Sequence, residues 1–237
     1  MTLFDNVVDE YDRGRPSYPD GVFDALGPLD GRRVADVGAG TGIATRQLVE
    51  RGADVVAFDA GPAVLGQAKR RTPELPAVVA DGAHLPVRDN AFDLATFAQS
   101  WHWLDPATRV DEMGRVLKPG GRLAVWWSHA VADDRGWFDE YWSAIERTCA
   151  GTNRSQAQTD WAPTLAPMTV DSAVAVPWMR EVSVDDWITD QTSHSYVATM
   201  GDAPRQELLV ELRAITERAF PSGAMRVPFV TRLWIAT

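Results

Sequence analysis

The chain has 237 residues, 45% of them hydrophobic, which is enough apolar material for one sizeable α/β domain. A formal net charge of −10, with only Lys69 and Lys118 as lysines and no basic run, excludes the long cationic footprint that a nucleic-acid partner requires. Cys149 is the single cysteine, which excludes an internal disulfide and a cysteine-built zinc site.

The opening stretch, "MTLFDNVVDEYDRGRP", carries acids and no apolar core segment. No uncharged apolar run anywhere approaches the roughly eighteen residues of a membrane span, so the expectation is a soluble, unprocessed, cytoplasmic protein with no membrane partner. "RRVADVG" reads as a buried strand. From Thr41 the apolar spacing changes, and Ile43, Ala44, Leu48 and Val49 fall on one face of a helix that Gly52 ends. Gly38, Ala39, Gly40 and Gly42 therefore occupy a strand-to-helix turn. Glycine there permits unusual backbone angles and close approach of a ligand, and the helix's free N–H groups favour a negative group, so the loop suits a nucleotide-like ligand with an anion. The dinucleotide fingerprint places its third glycine at the sixth position, which is Ile43 here, and this disfavours a nicotinamide cofactor.

"ADVVAFD" (53–59) reads as a second strand and "GPAVLGQAKRRT" (61–72) as a helix with Pro62 in its first turn. Three more strands are expected at 76–81, 92–100 and 121–128. Between the last two, a helix starts with Asp105 as N-cap and Pro106 at its first position, and stops at "KPGG". Strands alternating with helices imply a parallel, doubly wound sheet with ligands at the carboxyl ends of its strands. Those ends are Asp59, followed by Ala60, and Asp81, followed by Gly82 and Ala83. Asp59 lies about twenty residues beyond the first glycine, the usual position of a ribose-binding acid. All ten tryptophans follow residue 100, which makes the second half the expected acceptor side. Residues 151–172 lack a period and read as loop or cap; "LLVELRAITERAF" and "MRVPFVTRLWIAT" read as a closing helix and strand.

"VADVGAGTG", with Asp36 two places before the first glycine, resembles the first motif of class I S-adenosylmethionine-dependent methyltransferases. Asp59, Asp81 and "RVLKPGG" follow in the order that family requires, and "FDNVVDEYDRGRPSYP" is similar to the start of its type 11, trans-aconitate-methyltransferase-like small-molecule branch. The resemblance implies a Rossmann-like seven-stranded sheet of order 3-2-1-4-5-7-6 with the last-numbered strand antiparallel, and a helical or loop cap on the acceptor side. It implies S-adenosylmethionine as methyl donor, with Asp36 and the glycine loop near its amino-acid end, Asp59 on the ribose, and Asp81, Gly82 and Ala83 at the adenine. Tyr11 and Arg15 would reach the methionine end from an N-terminal lid, with Gln99 and Trp101 beside the sulfonium. The expected organisation is one domain over 1–237: lid at 1–30, cofactor core at 31–129, acceptor-side cap and sixth strand at 130–205, final helix and strand at 206–237.

In "QSWHWLD" (99–105), Trp101 and Trp103 flank His102, and "WWSH" brings Trp126 or Trp127, with His129, to the same rim. Aromatic faces suit a sulfonium or a flat acceptor. His102 and His129 are the candidate catalytic residues, as general base or acceptor-orienting donor. The four histidines show no metal-ligand spacing, and no metal is expected. The leading function is methyl transfer to oxygen, nitrogen or carbon of a small molecule, a planar aromatic or a carboxylic acid. The alternatives are a methyltransferase-fold protein that uses the bound sulfonium for a cyclisation or rearrangement, a non-catalytic subunit, and, last, an oxidoreductase.

Overall fold

The computed structural model describes residues 15–133, 135–149, 151–152, 154 and 159–237. In chain order the elements are α1 (Asp20–Leu26), β1 (Arg33–Val37), α2 (Ile43–Val49), β2 (Asp54–Asp59), α3 (Pro62–Arg71), β3 (Ala77–Val79), β4 (Phe92–Ala98), α4 (Arg109–Val116), β5 (Leu117–Ala130), α5 (Trp137–Thr148), β6 (Val170–Ser183), α6 (Val184–Thr192), α7 (Ser195–Ala198), α8 (Asp202–Ala219) and β7 (Ala224–Ala236). The sheet order is 3-2-1-4-5-7-6, parallel through β5 and antiparallel where β7 inserts between β5 and β6, as the resemblance implied. No helix among the described residues is long and apolar enough to cross a membrane.

Alternation along the central strands divides the core. Val34, Ala124 and Trp126 face a layer built by Val22, Phe23 and Leu26 of α1, Leu48 of α2 and Leu65 of α3. Ala35, Phe97, Val125 and Trp127 face the opposite layer, with Met113 and Val116 of α4 and Leu165. A third cluster, with Trp137, Tyr141 and Ile145 of α5, Trp187 of α6 and Leu212 of α8, packs on Val227 and Phe229 of β7.

Several boundaries differ from the sequence reading. The helix before β5 does stop ahead of "KPGG", at Val116, but β5 begins at Leu117 rather than 121, because "LKPGG" runs in extended backbone beside β4 through a register shift. Asp105 does not cap α4; its carboxylate accepts the Ala107 N–H at 2.9 Å in a turn, and the helix starts at Arg109. Helix α1 was not anticipated. The stretch expected as loop at 151–172 contains a 3-10 turn (Ala162–Leu165) and the first residues of β6.

Two carboxylates are buried in opposite circumstances. Asp36, in β1, has no solvent exposure, and its oxygens accept the hydroxyls of Thr45 (2.5 Å) and Thr96 (2.9 Å). Burial dominates those bonds and pushes its carboxyl up to about 6 from 3.8, with the Asp59 charge adding in the same direction. Asp190, in α6, is equally buried, but Arg180 Nη1 sits at 2.7 Å and Arg15 Nε at 3.1 Å. Its carboxyl is held below the usual range: burial acts to raise it, and the opposing pull of Arg15, His194 and Arg180 is stronger.

The folded state therefore holds a proton on Asp36 more tightly than the unfolded chain does. Its stabilising contribution is complete below about pH 3.8 and is lost as pH rises through about 6. Asp36→Asn should remove this dependence: comparing urea unfolding of both proteins at pH 4.5 and 7.5, wild type should lose on the order of 1–3 kcal/mol more than the variant. Asp190→Ala removes the carboxylate that Arg15 and Arg180 share and should cost about 3–5 kcal/mol. Glu211→Ala, which breaks the surface pair with Arg147, should cost about 1 kcal/mol or less in the same measurement.

Candidate active site

The site is built where β1, β2 and β4 end side by side. Gly38, Gly40 and Gly42 all have positive φ (69°, 57° and 82°), which L side chains rarely adopt, so the turn from β1 into α2 depends on glycine. A Cβ on Gly38 would lie 2.4 Å from that of Ser100, so the glycine turn and the segment after β4 touch. Ser100 fixes that contact by donating its hydroxyl to Val37 O at 2.7 Å. The space at Gly40, by contrast, is open.

Asp59 closes β2 onto this turn. Its carboxylate accepts the Gly40 N–H at 2.8 Å and the Gly61 N–H at 2.7 Å, joining the glycine loop to the start of α3. The Thr41 hydroxyl, inside the loop, is buried with no partner among the described residues. An orphaned hydroxyl and an open glycine beside a part-exposed carboxylate fit a small polar ligand that carries hydroxyls and an amino-acid group. Ala60 is exposed next to Asp59, and Ala39 is buried with its N–H on Phe58 O.

Asp81 lies beyond β3, exposed, accepting the Ala83 N–H at 2.9 Å and standing 3.7 Å from His84 Nδ1. Gly82 is packed so closely that a Cβ would be 2.7 Å from Val37, which brings this turn against the end of β1. Asp36 is beneath the loop rather than on it, supporting the turn from inside the sheet.

After β4 the chain takes a strained step. Gln99 has φ 59°, its N–H donates to Trp126 O, and its side-chain amide reaches Tyr18 Oη at 3.4 Å. Trp101 then turns wholly into the core, where its indole donates to Thr164 Oγ1 at 3.0 Å under the Arg109 guanidinium. His102 and Trp103 remain exposed, Trp103 at 57%. The His102 ring lies 4.8 Å from Trp103 and 6.1 Å from both Trp127 and Trp161, and those two indoles stack at 4.1 Å. Desolvation where its ring meets these indoles, and then the Arg109 charge, push His102 down to about 4.

His129 belongs to a different group. It is pushed down to about 4 by burial and then by Arg232 and Arg15. Arg15 itself bonds Asp190 and Ser193 (3.4 Å), which ties the chain entering α1 to α6. Tyr11 lies outside the described residues. The sequence reading missed Asp190, Arg180, Trp161 and the clasp in which Gln47 bonds both the N–H (2.9 Å) and the C=O (2.7 Å) of Tyr18. Trp161 lies in the stretch that has no period, and no local motif marks Arg180 or Asp190.

Residues 35–125 match the family model of the methyltransferase domain. An uncharacterized methyltransferase of Mycobacterium tuberculosis is 37% identical over 232 residues, 96% of this chain and 92% of the relative. A demethylmenaquinone methyltransferase of Beutenbergia cavernae is 37% identical over 132 residues, 52% of this chain and 55% of the relative. A solved structure from Anaeromyxobacter dehalogenans, assigned as a type II methyltransferase, superposes with a TM-score of 0.71 at 25% identity over 93% of this chain and 97% of the other. These similarities do not single out the trans-aconitate-like branch. With the sheet order and the glycine turn already in place, they establish that the chain belongs to the class I S-adenosylmethionine-dependent methyltransferases.

Proposed function

We propose that this protein moves the methyl of S-adenosylmethionine to oxygen, nitrogen or carbon of a small planar acceptor. The observation that carries the donor half is the carboxylate of Asp59, held across the glycine turn by Gly40 and Gly61 and reachable from the open side of Gly40. When bound, S-adenosylmethionine supplies an electrophilic methyl. Asp59 would take the ribose hydroxyls as charge-assisted hydrogen bonds, the Thr41 hydroxyl and the open side of Gly40 would meet the amino-acid end, and Asp81 with the Gly82–Ala83 turn would border the adenine. Gln99, with its positive φ at the end of β4, would lie on the methyl's side of the site.

The acceptor half rests on the wall of His102, Trp103, Trp127 and Trp161, whose flat faces suit an aromatic ring better than a flexible carboxylic acid. The demethylmenaquinone methyltransferases among its relatives bear the name of a quinone, which agrees with a flat acceptor. Holding such a ring within near-attack distance supplies a large part of the rate in an in-line methyl transfer, because the methyl is already activated.

Asp59→Ala should weaken S-adenosylhomocysteine binding by about 2–4 kcal/mol in calorimetric titration, since two bonds to a charged group are lost and do not add fully. Unchanged affinity would remove Asp59 from the site. Formation of S-adenosylhomocysteine during turnover with planar acceptors separates methyl transfer from a cyclisation or rearrangement, which leaves the donor intact.

A further inference from the structure

His102 presents two nitrogens, and the structure distinguishes them. The Trp127 indole N–H donates to His102 Nδ1 at 3.3 Å. An indole nitrogen is only ever a donor, so Nδ1 must be the unprotonated nitrogen, and the neutral imidazole carries its proton on Nε2. Trp127 has no latitude to move away. It is 5% exposed, lies in β5, stacks on Trp161 at 4.1 Å and meets Trp234 edge-on at 6.0 Å. Trp161 is held in turn by its neighbours: Asp160 accepts from Trp234 Nε1 at 3.1 Å, and Thr164 accepts from Trp101 and donates to the Trp161 carbonyl. No described residue accepts a hydrogen bond from His102 Nε2, and the residue is exposed beside Trp103.

We propose that His102 is a hydrogen-bond donor to the acceptor molecule: its Nε2–H, oriented by Trp127, selects a planar ring that bears a carbonyl, phenolate or carboxylate oxygen. This deepens the acceptor half of the proposed function and rests on it. The competing role, general base, needs a bare Nε2. That requires the proton to move to Nδ1, which sets two N–H groups against each other and leaves the buried Trp127 donor without a partner. Trp127 is therefore a positioning residue for His102, and the ring reads its ligand before any proton leaves it.

The first test does not involve turnover. With histidine labelled at nitrogen, a long-range proton–nitrogen spectrum at pH 7 should show His102 protonated at Nε2 and bare at Nδ1, and Trp127→Phe, which keeps a flat ring but lacks the N–H, should give a mixture of tautomers. A wild-type ring protonated at Nδ1 overturns the proposal. The second test uses quenching of tryptophan fluorescence in the full chain with S-adenosylhomocysteine present, comparing 2-methyl-1,4-naphthoquinone with 2-methylnaphthalene, which lacks the oxygens. His102→Phe should weaken quinone binding at least about tenfold and leave the hydrocarbon unchanged, while His102→Gln, whose amide can donate, should retain most of the quinone affinity. Equal loss of both probes, or no loss of either, overturns the donor role and leaves the planar-acceptor reading standing. Failure of wild type to bind either probe overturns that reading and the donor role with it.

Discussion

Much of the architecture around the site depends on one carboxylate. Asp59 ends a strand that is buried in the sheet, and its side chain emerges where β1 has just turned through glycine. By accepting amides from Gly40 and Gly61 it fixes two consecutive strand-to-helix turns relative to each other. An amide donor buried without a partner is costly, so the loop's geometry is determined by where that carboxylate stands. The turn after β4 is then locked from the other side, where Ser100 fills the space that a side chain on Gly38 would take. Three loops share one floor, and a change in any of them is felt by the other two.

Charge is handled differently at the two buried carboxylates. Under the glycine loop, Asp36 has hydroxyls for company and becomes harder to ionise. In α6, Asp190 is surrounded by guanidiniums and is easy to ionise, and this ion pair joins the segment before α1 to α6. The first arrangement keeps a compact polar support inside the sheet. The second joins Arg15, ahead of α1, and Arg180 of β6 to α6. Burial of a charge is tolerable only with such partners, and partners can come from far away in sequence.

The aromatic residues show the same division between local and distant causes. Trp101 and Trp103 are two residues apart, yet one is wholly buried and the other mostly exposed, because the 3-10 turn between them sends their side chains in different directions. Trp126 and Trp127 are adjacent on β5 and enter opposite layers of the core, as strand alternation demands. Only Trp127 reaches His102, and that contact gives an ordinary histidine a defined tautomer.

The sequence by itself determined the strands and most helices of the first half, the glycine turn, and the acids at the strand ends, since period, turn chemistry and capping act over a few residues and are written locally. It also placed Asp59 at the end of its strand beside the glycine turn. The stop at "KPGG" is local and holds, but the early start of β5 at Leu117 is not legible there, because it comes from pairing with β4. Tertiary structure alone decided that Arg15 finds Asp190, that Trp161 stacks on Trp127, and that His102 faces an indole N–H. Such partners lie tens to well over a hundred residues apart, as with the 178-residue separation of Arg15 from Ser193. No periodicity or spacing rule reaches that far; the sheet brings them together, and the pairing of charge, ring and donor is settled only where their surfaces meet.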